Sequence, residues 1–224
     1  MESQFELFEK ILKRLHEVKA LNSLILIGSW CLPLYRQHYD NAPEIPALRT
    51  HDLDFFSPKP KRGKSDVPLP KLFEELGFDL EIDPFDGGEK FVEEDLEVEF
   101  IAPITRKGRG AIELEGLGVK GQALGYLEKI SKYTMVVDYK GTPVMLPELA
   151  SFVLHKALIQ PIRNDKVKAL KDASQVLSLS ELILERFELS ERFTTIYFEF
   201  PKKWQKQIKE MLEKEAPELL KLIK

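Results

Sequence analysis

The sequence predicts an α+β fold, with a β-sheet flanked by helices and then a helical C-terminal domain. Short apolar runs with two-residue alternation recur between residues 24 and 103. The N-terminal segment and everything after Pro147 instead repeat apolar residues at three- and four-residue spacing. A hairpin pattern, YTMVVDYKGTPVMLP with Lys140-Gly141 at its turn, lies between the two regimes. The seam falls near residues 140–150, giving an α/β domain over 1–145 and a helical domain over 146–224.

Phe5, Phe8, Ile11, Leu12, Leu15 and Val18 mark residues 3–20 as an amphipathic helix. SLILIG is a short buried strand ending at Gly28. WCLPLYRQHY suits a helix beginning at Ser29, with Pro33 tolerated near its start. Residues 40–48 form a proline-containing loop, and HDLDFF alternates as a half-buried strand. PKPKRGKSDVPLP is a Pro/Lys loop, LPKLFEELG a short helix with a glycine stop, and FDLEID, EKFVEED and LEVEFIAP further strands. IELEGLGVKG reads as a strand running into a loop. SFVLHKALI, KVKALKDASQVLSL, SELILERF and WQKQIKEMLEKEAPELLKLIK read as separate helices joined by short breaks.

The net charge of −4 offers no general field for nucleic acid or anionic membrane. The single cysteine, Cys31, has no disulfide partner, and the charged N-terminal segment lacks the apolar stretch of a signal peptide. No run approaches the ~20 apolar residues of a membrane span. The expected location is cytoplasmic, with no membrane partner.

Three features bear on chemistry. A glycine after a strand permits a tight exit, and the helix N-terminus that follows presents free N–H groups to an anion, so Gly28-Ser29 suits a triphosphate. By itself the pair is a weak signal, and its ordinary reading is a strand-to-helix turn with Ser29 as cap. Asp52 and Asp54 lie two apart on one strand, which puts both carboxylates on one face while Leu53 and Phe55 turn inward. Their mutual repulsion is relieved by a hard divalent cation or by solvent. In EEDLEVEFIAP, Asp95, Glu97 and Glu99 share the face opposite Leu96, Val98 and Phe100, and strand parity allows either glutamate as a third acid. The most concentrated basic run, Lys59, Lys61, Arg62 and Lys64, reads as a solvated loop or as a guide for an RNA or nucleotide acceptor.

Gly28-Ser29, then RTHDLDFF, then VEFIAP resemble the motif set of the DNA polymerase beta-like nucleotidyltransferase superfamily. The Arg49-Thr50-x-Asp52-x-Asp54 stretch is similar to the branch containing the nucleotidyltransferase toxins of abortive-infection systems and their uncharacterised bacterial relatives, as are His155-Lys156 and Lys171-Asp172. The resemblance covers roughly residues 24–175 and implies a nucleotidyltransferase-type mixed sheet. It implies that Asp52, Asp54 and Glu99 are the catalytic acids and bind Mg²⁺ or Mn²⁺. It further implies that Gly28, Ser29, Lys156 and Arg49 contact the nucleotide, with Asp172 orienting Lys156 or lining the site. Trp30 follows the Gly-Ser pair where the family usually has a smaller residue, placed to crowd the phosphates or stack on a base.

The implied reaction transfers a nucleoside monophosphate from an NTP to a hydroxyl on a small molecule, a protein or an RNA, by a two-metal mechanism. The alternative is a catalytically inactive relative that binds nucleotide or a partner protein, for example within a toxin–antitoxin pair. A metal-dependent phosphohydrolase is a third, weaker reading.

Overall fold

The computed structural model describes residues 3–40, 50–94, 96–104 and 110–224. Helix α1 (Gln4–Glu17) opens with a capping box: Ser3 Oγ accepts from the Glu6 amide, and the Glu6 carboxylate accepts from the Ser3 amide at 2.7 Å. Its apolar stripe of Leu7, Phe8, Ile11, Leu12 and Leu15 is buried. Strand β1 (Ile25–Ile27) leads into α2 (Cys31–His38), followed by β2 (Asp52–Phe56) and α3 (Leu69–Glu75). Strands β3 (Asp79–Ile82), β4 (Glu89–Glu93), β5 (Leu96–Pro103), β6 (Ile112–Leu114) and β7 (Val119–Leu124) come next. A short α4 (Glu128–Lys132) precedes the hairpin of β8 (Thr134–Tyr139) and β9 (Thr142–Pro147). Lys140 and Gly141 turn that hairpin with φ of 50° and 85°, as a tight two-residue turn requires.

The main sheet has the order β1-β2-β5-β4-β3, with β7 on β5 and β6 on β7. β2 and β5 run parallel, as do β5 and β7, while the other pairs are antiparallel, so the sheet is mixed. β7 departs from the expectation that the strand of IELEGLGVKG runs into a loop: the chain from Val119 returns to the sheet. Gly121 lies within β7, and a Cβ there would come 2.9 Å from the Phe100 carbonyl, so the missing side chain is what lets β7 lie against β5.

The helical half contains α5 (Leu149–Ile159), α6 (Lys166–Glu185), α7 (Phe187–Phe198), α8 (Lys202–Glu215) and α9 (Pro217–Leu220). Residues 149–158 of α5 are all buried, so α5 is the central helix, enclosed by α6, α7 and α8. Two expectations are corrected. The segments KVKALKDASQVLSL and SELILERF form one helix through residue 185, because the intervening serines break nothing: Ser180 Oγ donates back to the Leu177 carbonyl within the helix. The last expected helix is instead interrupted at Ala216, ahead of Pro217.

One apolar cluster runs from Leu7 on α1 through Phe55 and Phe100 in the sheet to Ile223, so sheet and helices share a core. A smaller cluster of Ile25, Ile27, Phe56, Ile101, Leu127 and Ile130 lies beneath the cavity described next. Among the described residues no helix is long and apolar enough to cross a membrane.

Candidate active site

The parallel register of β2 and β5 places Asp52 opposite Glu97 and Asp54 opposite Glu99. Leu53, Phe55, Val98 and Phe100 are fully buried beneath them. The acids therefore share the other face of two adjacent strands, as alternation requires. The two glutamates then part in role. Glu97 accepts from Lys90 Nζ at 3.1 Å, and Lys90 also reaches Glu81 at 3.2 Å. Glu99 joins Asp52 and Asp54 in lining a cavity of about 350 Å³.

Gly28 has φ of +74° and lies above Asp54, because β1 pairs Ile27 with Asp54. The turn over Gly28–Trp30 is 3-10, and α2 starts at Cys31 rather than at Ser29. Ser29 accordingly does not cap the helix. Its hydroxyl accepts from Gln175 Nε2 at 2.9 Å, which leaves the Ser29 proton free to donate. Trp30 departs from expectation: its ring is buried and stacks on Phe8 at 4.4 Å, so it neither crowds the cavity nor reaches a base. Its preference for apolar contact is met by α1.

The facing wall comes from α5, α6 and the connection between them. His155, Lys156, Arg163, Lys168, Lys171 and Asp172 all line the cavity. Asp172 joins two of the cations, accepting from Lys156 Nζ at 2.6 Å and Arg163 Nε at 2.9 Å. Lys168 Nζ reaches across to Asp52 at 3.4 Å. Sheet acids and helix cations thus oppose one another across one space. An apolar end, lined by residues such as Leu124, Tyr126 and Ile162, completes it.

This arrangement perturbs the titrating groups. Burial, then the charges of Glu99 and Asp52, push the Asp54 carboxyl up to about 7, against the pull of Lys156 and Lys168. Burial and Asp52 raise Glu99 as well. Burial, with Lys156 beside it, drives His155 down to about 3, so its imidazole is neutral. Burial lowers the Lys171 ammonium, with Lys156 adding repulsion. Among the described residues no three His, Cys, Asp or Glu side chains are gathered closely enough to hold a metal ion in this conformation.

Arg49 lies outside the described residues. The basic run Lys59, Lys61, Arg62 and Lys64 is not part of the cavity lining. Arg163, Lys168 and Gln175 went unnoticed in the sequence. A signal for two of them was present: residues 168, 171, 172 and 175 are all polar at helical spacing, which draws one polar stripe along α6.

A family model for nucleotidyltransferases matches residues 6–197, and the chain belongs to that family. Its fold is also that of a solved relative. The crystal structure of an antigenic nucleotidyltransferase-like protein from Paracoccidioides brasiliensis superposes with a TM-score of 0.59, covering 99% of this chain and 93% of that one at 15% identity. The solution structure of the antibiotic-resistance factor ANT(2'')-Ia aligns over 100% of this chain and 90% of its own, with a TM-score of 0.45 and 13% identity. No curated protein matches the sequence. Membership supports a general nucleotidyl-transfer role.

Proposed function

We propose that the protein transfers a nucleoside monophosphate from an NTP to a hydroxyl acceptor. Asp52, Asp54 and Glu99 would hold Mg²⁺ or Mn²⁺, and Gly28, Ser29 and Lys156 would hold the phosphates. The observation that carries this reading is the shared cavity, with three acids on β2 and β5 facing the cations of α5 and α6. The donor chemistry fits: three carboxylates supply only hard oxygens, and burial together with their mutual repulsion raises Asp54 and Glu99, a cost that a divalent cation would relieve. A divalent cation bound there would lower the pKa of the acceptor hydroxyl and stabilise the leaving pyrophosphate.

The remaining chemistry falls to the chain. The Ser29 hydroxyl, oriented by Gln175, would donate to a phosphate oxygen. Lys156, held by Asp172, would offer its ammonium to the triphosphate as a point charge. Glu99, which lines the cavity opposite Asp54, would take the acceptor proton at its carboxylate oxygen. Arg49 keeps its proposed phosphate contact through the family motif alone.

A second reading is favoured by one contact. Lys168 Nζ lies 3.4 Å from Asp52 and sets a cation of the chain itself against that acid, as suits a protein that binds nucleotide or a partner protein without turnover. Incubation with each α-phosphate-labelled NTP and Mg²⁺ or Mn²⁺ separates the two. Label transfer and pyrophosphate release that vanish in Asp52→Ala/Asp54→Ala support the transferase. Nucleotide binding that survives Asp54→Ala, without product when crude extract supplies acceptors, supports the second.

A further inference from the structure

Helix α6 presents three faces. Ala173, Val176, Leu179 and Leu182 are buried in the core, and Lys168, Lys171 and Asp172 line the cavity. The third face looks into solvent and is apolar. Val167 is 74% exposed, Leu170 70%, Leu177 58% and Leu184 38%, and Phe187, at the corner where α6 ends, is 75% exposed. A solvent-facing helix surface is ordinarily polar, and leucines repeating every seven residues form the narrow stripe of a helix–helix seam.

We infer that this face of α6 binds the same face of a second copy of the chain, antiparallel about a two-fold axis through Leu177. Such a contact demands a patch complementary to itself, and the sequence of α6 meets that demand. Leu177 lies midway between Leu170 and Leu184, so a two-fold through it sets Leu177 on Leu177 and each Leu170 on the Leu184 of the second copy. The alternate seam positions, Ser174 and Glu181, come opposite one another, hydroxyl to carboxylate. Val167 falls beside Phe187.

Charge selects the orientation. On its solvent side α6 carries Lys166 at one end and Glu181 and Glu185 at the other. The antiparallel arrangement sets Lys166 between Glu185 and Glu188 of the second copy, whereas a parallel one would oppose lysine to lysine. It also sets each helix N-terminus beside the other's C-terminus, where the dipoles attract. The cavity-lining face of α6 lies to one side of this seam and stays open.

Sedimentation at rising protein concentration tests the inference without reference to activity. Wild type is expected at twice the 25.9 kDa chain mass. Leu177→Glu, which sets two carboxylates together on the axis, should raise the dimer dissociation constant ~100-fold or more while the thermal unfolding of the monomer is retained. Lys166→Glu should weaken the dimer, and Lys166→Glu/Glu185→Lys should restore it. A wild type that remains monomeric well above micromolar concentration overturns the inference, as does a dimer indifferent to Leu177→Glu. A heterologous protein bound at this face by a monomeric chain overturns it too.

Discussion

A Cβ atom built on Gly28 would lie 2.5 Å from Asp54 Oδ2. The turn after β1 and the second acid of β2 therefore occupy one another's space to within a methyl group, at a residue whose φ of +74° already disfavours any side chain. Gly28→Ala must displace either the backbone or the carboxylate. We expect a stability loss of at least ~1 kcal/mol, read by urea unfolding, and a fall in label transfer of about 100-fold, the scale that a misplacement near 1 Å produces.

Asp172 holds two cations at once, and its side chain and that of Lys156 are nearly inaccessible, at 3% and 8%. Asp172→Asn leaves the Lys156 ammonium buried without its counter-charge, which costs about 3–5 kcal/mol. Chemical denaturation should show that loss. Asp172→Leu/Lys156→Met should recover most of the stability yet leave nucleotide binding impaired, because the cavity loses the ammonium proposed to meet the triphosphate.

Asp54 carries a testable conflict between function and stability. Its carboxyl titrates near 7 in the folded chain and near 3.8 as a free side chain, so folding takes up a proton between those values. Stability attributable to this group therefore falls as pH rises through that window. Asp54→Asn should abolish transfer and raise stability by a few kcal/mol at pH 8. The gain should shrink as the pH drops below 7 and disappear below about 4. Thermal unfolding of both proteins across pH checks this.

His155 has the opposite sign. Burial holds its folded value at about 3 against an ordinary 6.5, so the unfolded chain binds the extra proton between them. The stability it contributes is complete above 6.5 and is lost as pH falls toward 3, by on the order of 4 kcal/mol. His155→Gln should flatten that part of the acid limb, measured as the midpoint of urea unfolding at successive pH values.

Strand β2 was readable because Leu53 and Phe55 alternate with Asp52 and Asp54, and a period of two survives any tertiary context. β7 was not, because VKGQAL places glycine and glutamine where a strand usually shows branched residues, and its pairing with β5 is a long-range fact. α7 was overlooked for a related reason: it follows α6 after a single extended residue, Arg186, with neither glycine nor proline to announce a break. In the site, residue types near Gly28, Asp52 and Asp54 followed from local rules. The preference for Glu99 over Glu97 as the cavity acid rests on Lys90, whose reach from β4 could not be read from spacing. The place of Trp30 could not be read because its neighbour in sequence is the Gly28-Ser29 turn while its neighbour in space is Phe8.

The acids that face the cavity come from residues 52–99, and the cations opposite them from residues 156–171. During synthesis the carboxylates emerge first, and for some time they stand without the ammonium groups that will face them. A nascent or proteolytically shortened chain ending before α5 would carry the negative half of the cleft alone. The division of charge between sheet and helices thus makes the two-sided cleft a product of both halves of the chain.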